Sequence, residues 1–551
     1  MTDASRIMRR RISCLLLSWL IVGSLGSATA QPASPPTLVV VVVVDQMRAD
    51  YVERFQHQWT SGLRRLVDNG AWFRQAAYPY FQTNTCVGHA TIATGSLPDT
   101  HGIIGNNWYD RTEGRLRACA DDAEWPLLSY GAPVEAAQGP GSLLVPTLGD
   151  ELYAQGATEA RVVSLSMKPR VAVMLAGHRA NAVVWQQDRT WVTSTAYSDA
   201  TIPFVARFLE ANPIERDHGA VWARTLPNGA YLFESNTPTS RPLEGWTGSF
   251  PHSLLGRGDA PDLLFRQQWA ESPFSNDHLG RLAAAAIDAL QLGQRRATDY
   301  LAVGFSALDW TGHHFGPRSH EVQDVLIQLD RTLGTLLDHL DATVGTDSYV
   351  VALSADHGAM PIPEHRVTQR LDAGRIPADR IVAAAEEATR RWLGPGPHVA
   401  QLEEQDFYFA RGVYEQLLAR PDALEDVMSV IRSIEGVAKV FRADTISRRR
   451  RTGSALERAL AHNYYPGRSG DLLVVLRPYW TTSTNAAGHG TSYGYDTRVP
   501  ILLMGPGILP GQYLSKATPA DIAPTLAYLS HVTLAHADGR PLIEALGELK
   551  R

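Results

Sequence analysis

Leu38 to Val44 is one leucine followed by six valines, and the run stops at Asp45. β-Branched side chains lose rotamer freedom in a helix and suit a pleated strand. A strand that is apolar at every position has no face to offer water. It belongs in the middle of a sheet covered on both sides, the usual setting of parallel strands. Further strand-like runs recur at Ala160 to Ser166, Tyr300 to Phe305, Tyr349 to Leu353 and Val499 to Met504, with helical stretches between them. This alternation predicts an α/β fold: a mainly parallel central sheet with helices on both faces. In such sheets ligands collect beyond the carboxyl ends of the strands. Asp45 therefore reads equally as a ligand-binding carboxylate or as the N-cap of the helical stretch after it.

Helices are predicted over Thr60 to Asn69, Leu143 to Ala154, Leu282 to Leu292 and Asp521 to Leu529. Val322, Val325, Leu326, Leu329, Leu333, Leu336 and Leu340 form an apolar stripe at helical spacing, read as core. Residues about 200–275 are rich in Pro, Gly, Trp and Ser and read as a loop-rich insertion. Residues about 362–480 carry charged helices, Ile381 to Trp392 and Leu424 to Ile434, and a strand from Asp471 to Leu476. They read as an inserted subdomain. The run Arg448 to Arg451 within it reads as a solvated loop.

The first thirty residues are of another kind. Arg6, Arg9, Arg10 and Arg11 precede an apolar stretch, Leu15 to Leu25, and Ala28-Thr29-Ala30 matches a small-x-small cleavage site. Residues 1–30 are expected to be a secretory signal peptide and 31–551 the mature chain. The stretch is short for a membrane span. Adjacent arginines permit a twin-arginine route, but the flanks match it poorly. Loss of four arginines and one aspartate takes the net charge from -6 to about -9. An acidic chain gives no sign of a nucleic-acid partner. Cys86 and Cys119 survive cleavage, and an oxidising compartment permits a disulfide as readily as two buried thiols.

Thr83-Asn84-Thr85-Cys86-Val87-Gly88-His89 opens a short helix expected to stop before Pro98. Thr85 would sit at its first turn, over free N–H groups that favour anions. By itself the stretch says only that Thr85 caps a helix. Distant residues change that reading. Asp45 ends the valine run, and Asp309 with His313, Asp356-His357 and His489 lie in glycine-bearing segments beyond other apolar strands. Independent Asp and His groups at several strand ends suggest a shared crevice, and mixed carboxylate and imidazole ligands suit zinc. With Thr85 the set has seven members, about right for two ions. His89, one turn after Thr85, reads as helix packing. His314 falls outside the pattern, and His101 and His178 read as structural.

The combination Thr85-Cys86-Val87-Gly88-His89, Gly102-Ile103-Ile104-Gly105-Asn106-Asn107-Trp108, Lys168-Pro169-Arg170, Asp309-(x3)-His313, Asp356-His357-Gly358 and Gly488-His489-Gly490 resembles the alkaline phosphatase superfamily. It is most similar to the secreted bacterial alkaline phosphatases with a threonine nucleophile, relatives of the nucleotide pyrophosphatase/phosphodiesterases. The resemblance runs from the Asp45 strand to Asp521-Ile522-Ala523-Pro524-Thr525. It implies two zinc ions, one held by Asp309, His313 and His489, the other by Asp45, Asp356, His357 and Thr85. It implies that Thr85 is the nucleophile and that Asn106, Lys168 and Arg170 hold the phosphoryl oxygens. The implied substrates are small phosphate monoesters of broad range, and the implied protein is a periplasmic or secreted monomer with no stable membrane insertion.

The chemistry suits these roles. A threonine hydroxyl needs activation before it can attack, and two cations can bracket an in-line displacement. The monoester dianion needs cationic donors, which Lys168 and Arg170 supply. Taken as an extended segment, Lys168-Pro169-Arg170 would turn both cations to one side. The same metals could serve a phosphodiesterase or nucleotide pyrophosphatase, the runner-up reading. A sulfatase would carry Cys-x-Pro-x-Arg, whereas Cys86 is followed by Val-Gly-His-Ala. A cofactor-independent phosphoglycerate mutase would have serine at Thr85. A silent binding protein would have lost the nucleophile.

Overall fold

A computed structural model describes residues 34–547 apart from 157–158, 188–189 and 234–238. The expected signal peptide lies outside the described residues. Eleven strands form the main sheet: β1 (Leu38–Val44), β2 (Ala71–Ala76), β3 (Asp121–Ser129), β4 (Ala137–Gln138), β5 (Val162–Ser166), β6 (Ala182–Gln187), β7 (Thr190–Ser194), β8 (Asp299–Phe305), β9 (Tyr349–Ser354), β10 (Ile501–Met504) and β11 (Gly511–Ala517). Their order is β11-β2-β10-β9-β1-β8-β5-β6-β7-β3-β4. The five strands at the centre, β9-β1-β8-β5-β6, are parallel throughout. Antiparallel pairings extend the sheet at both sides, and β2 and β11 add a parallel pair at one edge.

β1 is buried on both faces, as its composition requires. Leu38, Val40, Val42 and Val44 enter one apolar cluster, and Val39, Val41 and Val43 enter another. Register fixes where the strands stop. Val43 pairs with Gly304 of β8 and with Ser354 of β9, and Gly304 pairs with Ser166 of β5. Four parallel strands thus end side by side, and the residues just after them, at 45, 168, 309 and 356–357, share one rim of the sheet.

The leucine stripe forms a helix, His320–Thr343, with all seven of its members buried. Ser319 caps it by accepting the Val322 N–H at 3.2 Å. Helices α1 (Thr85–Thr94) and α2 (Pro169–Ala176) pack against each other over the sheet. Gly95, at φ 70°, stops α1 before Pro98. Residues 399–476 build a separate four-stranded sheet, Val399–Glu403, Asp406–Phe409, Leu472–Leu476 and Val437–Arg442 in that order, with its own apolar cluster. Among the described residues no helix is long and apolar enough to cross a membrane.

Some local expectations differ from the structure. Lys168-Pro169-Arg170 does not continue as an extended segment; Arg170 and the apolar run Val171 to Leu175 lie inside α2, which Pro169 starts at a position where its missing N–H costs nothing. The helix expected from Leu143 begins only at Leu148, where Thr147 and Asp150 form a capping box just after Pro146. The alanine-rich helix starts earlier, at Pro273. The loop-rich stretch contains two helices, Pro203–Ala211 and Leu263–Ala270, and a ribbon pairing Val221–Trp222 with His252–Ser253. Their buried faces are Phe204, Val205 and Phe208 in the first and Leu264, Phe265, Gln268, Trp269 and Ala270 in the second, each confined to two or three turns within a stretch rich in Pro, Gly and Ser.

Candidate active site

Asp45 and Asp356 sit at the ends of β1 and β9. Asp309 and His313 lie one turn apart on α3 (Ala307–Phe315), so the helix sets their spacing, with His313 Nε2 3.2 Å from Asp309 Oδ1. His489 comes from the loop before β10. Its Nε2 is 3.9 Å from Asp309 Oδ1, and its ring stacks on His357 with centroids 3.6 Å apart. His357 Nε2 lies 3.4 Å from Asp45 Oδ1 and 3.2 Å from Asp356 Oδ2. Thr85 Oγ1 is 3.5 Å from the same nitrogen. Two ligand-like groups result, Asp45–Asp356–His357 and Asp309–His357–His489, each with donor atoms within 4.8 Å of one another. His357 stands between the two groups, and His313 adjoins the second through Asp309.

The histidines are oriented by their other nitrogens. Nδ1 of His313 faces Ala487 O at 2.8 Å, that of His357 faces Gly358 O at 2.9 Å, and that of His489 faces Thr83 O at 2.9 Å. A carbonyl only accepts, so in the neutral ring the proton sits on Nδ1 and Nε2 presents its lone pair to the cluster. Burial pushes His357 down to about 3. Burial, then the charges of His357 and His313, push His489 well below the usual range. Burial works the same way on His313, but Asp309 outweighs it and raises the group.

The carboxylates are short of positive charge. Asp45, Asp309 and Asp356 are all nearly or wholly buried, and the ammonium of Lys168 is the cation among them, 2.6 Å from Asp45 Oδ2 and 2.6 Å from Asp309 Oδ2. Burial and then the neighbouring Asp45 charge raise Asp356 well above a normal carboxyl. Burial would raise Asp309 too, but Lys168 and His313 hold it well below. Asp45 Oδ1 and Asp356 Oδ2 are buried with no hydrogen-bond partner among the described residues. Orphaned carboxylate oxygens beside imidazole lone pairs are a donor set that fits hard-to-borderline divalent cations.

Thr85 is the first residue of α1, and Asn84 is its N-cap. The free N–H expected beneath Thr85 is partly spoken for: Cys86 N donates to Asn106 Oδ1 at 2.9 Å. This leaves Asn106 Nδ2 as the outward donor. Cys86 and Cys119 are joined by a disulfide, which ties the first turn of α1 to the end of the hairpin Asn107–Asp110/Arg115–Ala118. Gly88 faces the backbone of Asp356 so closely that a Cβ would collide with it. His89 donates from Nδ1 to Thr85 O, 2.7 Å away, and lies 3.4 Å from Asp356 Oδ2. It braces the helix rather than turning Nε2 to the cluster.

Lys168 and Arg170 do not act as a pair on an extended segment. Lys168 is the extended N-cap of α2 and reaches the carboxylates, whereas Arg170 is in the first turn and lines a cavity with Asn106, Cys119 and Gln138. The Nε of Arg170 is buried without a hydrogen-bond partner among the described residues. A second cavity of about 290 Å³ joins Asn106, His313 and His489 to Asn84, Glu404, Gln405 and Trp480.

Three site neighbours carry no sequence signal. Gln46, with φ 67°, donates its backbone N–H to Asp356 Oδ1 at 3.0 Å and its side-chain amide to Asp309 Oδ1 at 2.6 Å. Only its place next to Asp45 could have marked it. Trp310 lies under the Lys168 ammonium, 4.8 Å from ring centroid to Nζ. Glu404 comes from the region whose motifs say least. The other histidines behave as read: His101 bonds Thr91 and Ile103, His178 bonds Asp150, and His314 bonds Glu271 and Arg241.

Residues 39–496 match the family described as type I phosphodiesterase / nucleotide pyrophosphatase. The chain is 31% identical to alkaline phosphatase PafA of Elizabethkingia meningoseptica, over 97% of this chain and 98% of that one. It is 30% identical to alkaline phosphatase PhoV of Synechococcus elongatus, over 95% of this chain and 97% of that one. The crystal structure of PafA superposes with a TM-score of 0.87 at 29% identity, covering 94% of this chain and 100% of that one. The chain therefore belongs to the type I phosphodiesterase / nucleotide pyrophosphatase family, within the alkaline phosphatase superfamily.

Proposed function

We propose that this chain is an alkaline phosphatase that hydrolyses small phosphate monoesters of broad range through a phosphothreonine at Thr85. The observation that carries the reading is the place of Thr85: its hydroxyl lies at the hinge of the two ligand groups, beside His357. Two zinc ions would be held by Asp309, His313 and His489, and by Asp45, Asp356, His357 and Thr85. When bound they would supply Lewis-acid charge to the attacking and departing oxygens. Thr85 Oγ1 attacks phosphorus, the P–O bond to the leaving group breaks, and water later releases phosphate from the threonine. Asn106 and Arg170 line the cavities where the phosphoryl oxygens would lie, and bidentate Arg contacts suit a dianion. Lys168 holds Asp45 and Asp309 in place.

Full-length similarity to proteins named alkaline phosphatase supports the monoester over the diester reading. We read the chain as a periplasmic or secreted monomer with residues 1–30 removed, and residues about 200–275 and 362–480 as insertions into the phosphatase core. The test is hydrolysis of p-nitrophenyl phosphate beside bis-p-nitrophenyl phosphate, with and without chelator, and metal analysis of the purified protein. A faster monoester reaction, lost on chelation, and about two zinc per chain are expected. Full activity after exhaustive chelation rejects the metal assignment, and a faster diester reaction rejects the monoesterase.

A further inference from the structure

Glu404 stands at the tip of a two-residue hairpin that joins Val399–Glu403 to Asp406–Phe409, where Glu403 pairs with Asp406. Its backbone is left-handed, φ 54°, at a position where glycine is the easy choice. Such a conformation persists only where surrounding contacts hold it. Here they do. Gln405 Nε2 donates to Gly490 O at 2.7 Å, beside His489, and Gln82 bonds Asp406 from the segment before Thr85. Asn107 donates to Glu403 Oε1 at 3.0 Å, so Glu403 is engaged from the side. The tip is thereby pinned against the active-site loops from both directions.

The Glu404 carboxylate has one fixed oxygen and one open one. Oε2 accepts from Asn84 Nδ2 at 3.1 Å. Oε1 has no hydrogen-bond partner among the described residues, and the side chain lines the same cavity as Asn106, His313 and His489. Under the function proposed above, Thr85 attacks from the Asp45–Asp356–His357 side, so in-line displacement sends the leaving group out past His313 and His489. That exit is the wall Glu404 occupies. The rest of that lining, Trp480, Thr481, Ser483 and Asn485 among it, contains no other carboxylate and no lysine or arginine.

We infer that Glu404 is a specificity-determining residue that favours phosphate monoesters whose leaving group carries a cation, such as an amino alcohol, over those with a second anion. The inference rests on the phosphatase reading and adds a substrate class to it. Burial pushes Glu404 up to about 7, so above that pH an ammonium two carbons from the ester oxygen can meet the free Glu404 oxygen, whereas a carboxylate at the same place meets like charge.

Matched substrates separate the two ideas. O-Phosphoethanolamine and phosphoglycolate have two-carbon leaving groups of opposite charge, and ethyl phosphate is the neutral reference. For each, kcat/KM is measured at constant ionic strength on native protein and on Glu404→Gln, which keeps the shape and the Asn84 contact. The ratio of phosphoethanolamine to phosphoglycolate should fall about tenfold in Glu404→Gln, the scale of one charge-assisted contact, while ethyl phosphate changes less than about threefold. The native ratio should itself shrink in high salt as the charges are screened, a reading that needs no variant. An unmoved ratio in Glu404→Gln, or a salt-independent native ratio, overturns the inference. An equal loss on all three substrates also overturns it, assigning Glu404 to support of Asn84. Failure of the native protein to hydrolyse ethyl phosphate overturns the phosphatase reading instead.

Discussion

Lys168 Nζ lies 2.6 Å from Asp309 Oδ2, with both side chains 3% exposed. The lysine also reaches Asp45, so its charge is spent on the carboxylates that shape the site. Burial alone would depress Lys168, but the Asp309 and Asp45 charges raise it, and it stays protonated. This divides the roles of the two cations that the sequence places together.

Lys168→Ala should lower kcat/KM on p-nitrophenyl phosphate and bis-p-nitrophenyl phosphate by similar factors, about 10- to 150-fold. It releases carboxylates that serve both substrates. Sparing of the diester would show that Lys168 meets substrate charge directly.

Arg170→Ala should act differently. Among the described residues Arg170 has a buried Nε without a hydrogen-bond partner and forms no ion pair with a carboxylate. The loss, again about 10- to 150-fold, should fall on the monoester and much less on the diester, which has one fewer phosphoryl charge. The same two assays decide it, and equal losses would make Arg170 a general support.

Thr85→Ala should abolish turnover while changing unfolding free energy by about 1 kcal/mol or less, since it removes one hydroxyl with a single long contact. Thr85→Ser should keep measurable activity. Denaturant unfolding beside the p-nitrophenyl phosphate assay checks both. Near-native rates in Thr85→Ala would move the nucleophile elsewhere.

Gly88→Ala should be destabilising by about 1–3 kcal/mol, because the new methyl meets the Asp356 backbone and not a yielding side chain. Activity should fall with it, as Asp356 shifts. A variant with native stability and rate would mean that α1 and the Asp356 turn separate freely.

Cys86→Ser with Cys119→Ser should lower unfolding free energy by about 3–4 kcal/mol, the chain-entropy value for a closed loop with 33 residues of separation. Intact mass with and without reductant checks the bond, and denaturant unfolding checks its worth. Two free thiols in unreduced native protein would remove the premise.

Much of this was legible in the chain. A seven-residue run with no polar position allows few places other than the middle of a covered sheet, and β1 is there. The helical offset of Asp309 and His313 puts them on one face of any helix that contains them. The periodicity from Val322 to Leu340 needs no partner to be read, because burial repeats with the helix turn, and all seven members are buried. These features are set by local backbone geometry, which sequence spacing reports directly.

Other features depended on pairing between distant segments, which spacing does not report. Five apolar residues after Arg170 fit either a strand or a helix, and Pro169 at the first helical position, packed against α1, decided for helix. Which imidazole nitrogen faces the cluster depends on carbonyls of Thr83, Gly358 and Ala487, each placed by its own loop. Gln46 bonds two aspartates more than 250 residues away because β1, β8 and β9 end at one level. Glu404 lines the cavity because a hairpin of the second sheet is held against the Asn84 and Gly490 loops. By itself the sequence determined β1, β5, β8, β9 and β10, the long helix and the residue types able to do phosphoryl chemistry. The tertiary structure alone decided their partners, since hydrogen bonds and charge pairs across the sheet rim form only once strand register brings them within reach.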